Sequence, residues 1–276
     1  MSVAANSDRR VFDANRANGR VAFSVESVRG VTRRQITDEA GPMRVRFPNA
    51  HARSLEAVLV NTAGGIAGGD NLAVEITVGR GARLMAGTAT AEKVYRSHGP
   101  DAALSLKIDV QAAGHLLWLP QETILFDRSR LSRRIDIDLA DDASLVFAET
   151  QVFGRTAMNE TIVSGGFVDS WRVRRGGRLV FAETTRLDGD IAAKLARPAI
   201  GGGAVAVATM LITPCDEAKI EAWRATRDSL KGQAAISMWN GIAVARFCAN
   251  DATALRHDMI MQLAALQVEL PRLWLQ

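Results

Sequence analysis

Two glutamates occupy the same place in identical hexapeptides, Leu-Val-Phe-Ala-Glu-Thr, at residues 145–150 and 179–184. In an extended strand, residues two apart point to one face. Leu145, Phe147 and Glu149 then share a face, as do Leu179, Phe181 and Glu183. If the Leu and Phe side chains enter a core, each carboxylate enters with them. A buried carboxylate must pair, hold a proton or line a wet cavity, because an unpaired charge is costly away from water. The other reading puts each Glu past its strand end, in solvent or against Arg155 or Arg186. Oxygen donors recur upstream at Glu122 and at the pair Thr88 and Thr90. Stacked in layers, these groups make a ladder of carboxylates and hydroxyls through a β core.

Other chemistries are thin. His51, His98, His115 and His257 are scattered and form neither HxH nor HExxH, which argues against a closed zinc site. Cys215 and Cys248 form no CxxC and suggest no disulfide framework. No GxSxG elbow is present. Two carboxylates could serve a carbohydrate-active enzyme as an acid–base pair. One Tyr, five Trp and nine Phe offer few sugar platforms for that alternative. The run from Asn61 to Asp70 is Gly-rich but lacks the Lys-Ser/Thr ending of a phosphate loop and precedes a strand. Gly64, Gly65, Gly68 and Gly69 therefore read as tight-turn glycines or close backbone approaches. Asp70 enters the next strand as one more carboxylate.

The elements that must position these groups are mostly strands. From about 18 to 212, short alternating runs are separated by Gly or Asp turns. Examples are residues 20–25, 72–78, 104–110 and 134–139. Units related to the hexapeptides start at Gly81 and Gly114, each a turn, an apolar strand and a polar end. A period near 30 predicts stacked, β-helix-like coils, with Glu149 and Glu183 in adjacent layers. Helices are expected over 216–230, with Ile220, Trp223 and Leu230 on one face, and over 252–270, with Leu255, Met259, Leu263, Leu266 and Leu270 in a stripe ended by Pro271. Between them, residues 235–247 read as a β-hairpin turning at Asn240-Gly241. Residues 1–17 read as a flexible N-terminal arm, and 18–276 as a single β domain that includes the C-terminal helices.

Composition excludes several classes. The formal net charge is +4 and the basic residues are dispersed, so a nucleic-acid stripe is not expected. No apolar run approaches a membrane helix, and the polar N-terminus has no signal-peptide core. The expected setting is soluble and cytoplasmic, without membrane or nucleic-acid partners.

Several runs together resemble one family. Asn61 to Asp70 looks like a Gly-Gly-x-x-Gly-Gly-Asp signature, with Thr62-Ala63 where Pro-Pro is common. Thr88 to Ser97, Trp118 to Asp127, Arg178 to Gly189 and the Pro271 to Trp274 close also match. In this order they resemble the UreD (UreH) family of urease accessory proteins. The resemblance implies a β-helix-like fold with C-terminal helices and a chaperone that catalyses nothing itself. It implies a complex with UreF and with UreG, the nickel-delivering GTPase, docked on urease apoprotein. No tightly bound cofactor is implied, only transient Ni2+. A transit path must admit a metal and release it, which oxygen ligands do better than a Cys/His cage. The candidate path residues are Asp70, Thr88, Thr90, Glu122 and Asp127 inside the family runs, with Glu149 and Glu183 from the repeat.

Overall fold

The computed structural model describes residues 15–48 and 54–275. Most of the expected N-terminal arm lies outside these residues. Arg16 and Ala17 fall inside them and bond to the Gly68 carbonyl and the Asp70 carboxylate.

Seventeen strands are described. The first ten are β1 (Asn18–Val28), β2 (Val31–Ala40), β3 (Met43–Arg46), β4 (Leu55–Asn61), β5 (Asn71–Val78), β6 (Arg83–Thr88), β7 (Glu92–Val94), β8 (Ala102–Val110), β9 (His115–Trp118) and β10 (Thr123–Leu125). They are followed by β11 (Arg130–Leu139), β12 (Ser144–Phe153), β13 (Ser164–Arg175), β14 (Arg178–Asp190), β15 (Ala206–Thr213), β16 (Gln233–Trp239) and β17 (Ile242–Ala249). They build two facing sheets. One runs β14-β13-β11-β8-β5-β1-β2, and the other β16-β17-β15-β12-β9-β6-β4-β3. The chain alternates between the sheets, so β5, β8, β11 and β13 stack in parallel in one, and β6, β9 and β12 in the other. This is the coiled, β-helix-like stack expected from a period near 30.

Three of the four repeat units lie on that stack. Leu84, Leu116 and Leu145 are register partners on β6, β9 and β12. The fourth unit does not. Residues 179–184 lie on β14, which pairs antiparallel with β13 at the edge of the opposite sheet. Glu149 and Glu183 therefore stand on different sheets and not in adjacent layers. A bulge at Val173/Arg174 also breaks the alternation of β14 and leaves Leu179 54% exposed. Strand propensity is local, whereas pairing partners are chosen by the whole sheet.

The inner faces carry a continuous apolar core, including Phe23, Ile76, Ile108, Ile137 and Phe147. The outer face of the second sheet is paved with Ala148, Ala206, Ala208, Ala243 and Ala245. These small side chains let two helices pack close, α2 (Glu217–Ala225) and α3 (Ala252–Ala265). A shorter helix not foreseen in the sequence, α1 (Ile191–Leu195), follows β14. Each helix begins at an aspartate whose side chain accepts an amide of the first turn: Asp190, Asp216 and Asp251.

The helices are shorter than their apolar stripes. α2 gives way at Thr226 to a 3-10 turn, leaving Leu230 beyond it. α3 ends at Ala265, ahead of Pro271. Leu255, Met259 and Leu263 are buried as core. The hairpin turns at Asn240 and Gly241, both at positive φ as a type I′ turn requires. Among the described residues no helix is long and apolar enough to cross a membrane.

Candidate functional site: a polar interior at the end of the coil stack

The inner face of β11 carries Leu131, Arg133, Ile135 and Ile137, all buried. That of β13 carries Phe167, Asp169, Trp171 and Val173, also buried. One cation and one anion thus interrupt two apolar alternations at register-paired positions. Arg133 donates to Asp169 through Nε at 2.9 Å and Nη2 at 2.6 Å. Its Nη1 donates to Glu149 across the sheets. The remaining Glu149 oxygen accepts from Trp118 Nε1 at 2.8 Å. Burial opposes the Arg133 charge, but Asp169 and Glu149 favour it and hold the guanidinium protonated. Burial pushes the Glu149 carboxyl up, with Arg133 and Trp118 pulling against it. The pairing matches the requirement that a buried charge be compensated and its hydrogen-bond capacity used.

This triad divides two hollows. On one side lies a cavity of about 150 Å3 lined by Thr88, Thr90, Glu92, Thr123, Arg133 and Glu149, among others. It exists because β6 and β9 end where β12 continues, leaving a gap before β7 and β10 resume. Thr88 ties the gap together, accepting from Gln121 N and donating to the Thr90 carbonyl. Glu92 accepts from Asn61 Nδ2 at 3.1 Å. Burial pushes the Glu92 carboxyl up to about 7, against the Asn61 hydrogen bond and the Lys93 charge.

On the other side the sheets splay into a cleft of about 630 Å3, lined by Gln151, Asp169, Glu183, Thr209, Arg246 and Cys248 along with apolar groups. Glu149, Thr209 and Arg246 are neighbours across β12, β15 and β17. Arg246 in turn reaches over to both oxygens of Glu183.

The structure thus brings Thr88, Thr90 and Glu149 around one cavity and sets Glu183 on the adjoining cleft. The other candidates lie elsewhere. Asp70 is buried and accepts the amides of Ala17 and Ala67, fastening the Gly-rich turn to the start of β1. In that turn Gly64 and Gly69 have positive φ. A Cβ at Gly65 or Gly68 would strike Tyr95 or Ser97. Asp127 accepts from Val163 and Ser164; burial opposes its ionisation, but these amides and Arg128 hold its carboxyl below the usual range. Glu122 pairs with Arg256 of α3 at 3.0 Å and lines a separate apolar hollow. Arg155 is taken by Glu160 and is not a partner of Glu149.

The interior residues missing from the sequence expectations are Arg133, Asp169 and Glu92. The first two were legible as charges on otherwise apolar strand faces. Glu92 sits on a three-residue strand, too short to carry a period.

Among the described residues no three His, Cys, Asp or Glu side chains gather closely enough to hold a metal ion. Four of the five Trp are buried, and Trp239, the exposed one, sits at a hairpin tip. The chemistry on offer is two hollows of mixed polar and apolar lining, with the buried Arg133, Glu149 and Asp169 cluster between them.

The UreD urease accessory protein family profile matches residues 16–275. This chain belongs to the UreD family. It is 55% identical over 269 residues to the urease accessory protein UreD of Rhodopseudomonas palustris (strain BisA53), covering 98% of this chain and 94% of the relative. It is 57% identical over 269 residues to that of strain HaA2, covering 97% and 96%. It is also 57% identical over 265 residues to that of Bradyrhizobium diazoefficiens, covering 96% of each chain. These relatives are named accessory proteins, not enzymes.

Proposed function

We infer that this UreD-family chain serves urease maturation by passing Ni2+ through its interior, from a complex with UreF and UreG to docked urease apoprotein. The observation that carries this reading is the pair of polar hollows meeting at the Arg133, Glu149 and Asp169 wall. Carboxylates and hydroxyls line the route, and borderline cations exchange readily from such ligands. Glu92, titrating near neutrality, can trade its proton for a passing cation at low cost. Nickel is cargo here, and the chain needs no resident cofactor.

The test is co-expression with urease and the partner accessory proteins, comparing wild type with Ala91→Phe and Thr90→Trp. Both positions line the cavity. Bulk placed there occludes the route with little disturbance of the core. Intact complexes that leave urease poor in nickel support the route. Normal nickel content in urease from both variants would reduce the chain to a docking scaffold. That second reading draws support from Asp70, Glu122 and Asp127, whose carboxylates fasten one segment to another.

A further inference from the structure

We propose that Arg133 is a tethered cation gate: it occupies the place between Glu149 and Asp169 that a passing divalent cation must take, and it yields that place by releasing Glu149. This rests on the transfer reading above and names how the route is kept shut and kept from retaining its cargo.

The argument starts from position. Arg133 and Glu149 line the inner cavity, and Asp169 lines the cleft. The guanidinium therefore stands in the partition between the two hollows. Its side chain is 3% exposed, and those of Glu149 and Asp169 are each 6% exposed. Without Arg133 the two carboxylates would face one another, desolvated and uncompensated. Such a pair would seize any cation that arrived and hold it. With Arg133 in place, a dication must compete against a fixed charge already bonded to both. Binding is weakened and release is favoured, which is what a conduit requires.

The bonding is asymmetric. Two nitrogens grip Asp169 and one reaches Glu149. The fork on Asp169 fixes the guanidinium, so the single Glu149 bond is the one to break. Glu149 keeps the Trp118 hydrogen bond when it lets go, so it is not left bare.

A second feature points to a polar occupant on the cleft side. Gln151 follows Glu149 on the same strand face. The residue lines the cleft and is 6% exposed, and its Nε2 is buried with no hydrogen-bond partner. A buried amide hydrogen without a partner is expensive, and an apolar wall would be built without it. Arginine stays charged across the physiological range, so the gate opens by displacement of the guanidinium and not by its deprotonation.

The experiment measures Ni2+ retention by the purified full-length chain, by gel filtration and equilibrium dialysis, without urease. Arg133→Met is expected to retain about one Ni2+ per chain with at least tenfold higher affinity than wild type. Adding Glu149→Gln to Arg133→Met should abolish the gain. A folded Arg133→Met chain binding no more tightly than wild type overturns the gate, as does a gain that survives Glu149→Gln. Where Arg133→Met fails to fold, Arg133→Lys carries the test. It keeps a charge but loses the fork, and at least a threefold gain in Ni2+ affinity is expected; unchanged affinity overturns the proposal. Failure of the transfer reading looks different: urease then receives normal nickel from the occluded Ala91→Phe and Thr90→Trp chains, whatever Arg133 does to retention.

Discussion

The same six residues, Leu-Val-Phe-Ala-Glu-Thr, fold twice as strand in this chain and meet two different environments. In the copy on β12, Leu145 is 1% exposed, Phe147 is fully buried and Glu149 is locked into a triad. In the copy on β14, Leu179 is 54% exposed, Phe181 is partly buried, and Glu183 reaches Arg246 from the cleft wall. The difference comes from the neighbours. β12 lies between β9 and β15 in a sheet whose two faces are covered by the opposite sheet and by helices. β14 pairs with β13 alone and is bulged. Identical local sequence thus secures strand, but alternation and burial are set by the pairing partner and by what closes over the strand.

Apolar truncations should expose this contrast most sharply. Phe147→Ala is expected to cost about 3–5 kcal/mol, because a packed ring between Trp118 and Trp171 is lost and its space stays empty. Leu179→Ala, in the other copy and on an exposed edge, should stay within about 0.5 kcal/mol of wild type. Urea denaturation midpoints at a constant m-value read both. Similar losses would mean that β14 is covered in solution and that the contrast is not real.

The next effect separates the two glutamates. Glu149→Leu leaves Arg133 with Asp169 alone in a buried site and should cost about 3 kcal/mol. Glu183→Leu removes one side of a half-exposed pair and should cost less than about 1 kcal/mol. Thermal unfolding of the two variants decides it, and a reversal of their order would place the protected carboxylate in the wrong copy.

These outcomes also mark what was legible in the residues themselves. Alternation announced the strands, and the turn residues announced the coil period, because both are written in neighbours along the chain. Asn240-Gly241 announced its hairpin for the same reason. The hexapeptide identity misled at β14 because partner choice and a bulge are properties of the sheet, not of six residues. Arg133 and Asp169 were visible as interruptions of apolar faces at 131–137 and 167–173, although only pairing brings them together. Glu92 gave no signal, since its burial arises from a gap between strands that no local pattern encodes. α1 is five residues long, below the length at which periodicity speaks.

Glu92 sharpens the comparison as a third glutamate, partly buried and without a cation bonded to it. Its folded pKa of about 7 lies above its ordinary value of 4.5, with burial the leading cause. Folding then favours the protonated form. The stability this provides is complete below about pH 4.5 and is lost as pH rises through about 7. By linkage the loss is on the order of 2–3 kcal/mol. Glu92→Gln should remove most of it, so the variant is expected to match wild type near pH 4.5 and exceed it in stability at pH 8. Denaturation curves at the two pH values measure this. Parallel pH profiles for the variant and wild type would show that Glu92 is solvated or paired in solution.

The smallest effect lies at the outer copy. Glu183 and Arg246 have side-chain exposures of 23% and 53%, so water screens much of their attraction. A double-mutant cycle with Glu183→Gln and Arg246→Gln is expected to give a coupling of about 0.2–1 kcal/mol that shrinks with added salt. The pair spans the two sheets at the mouth of the cleft, joining β14 to β17. A coupling of several kcal/mol that is insensitive to salt would mean that the cleft closes over this pair in solution. The outer glutamate would then share the buried condition of the inner one, and the cleft would be shut at both ends.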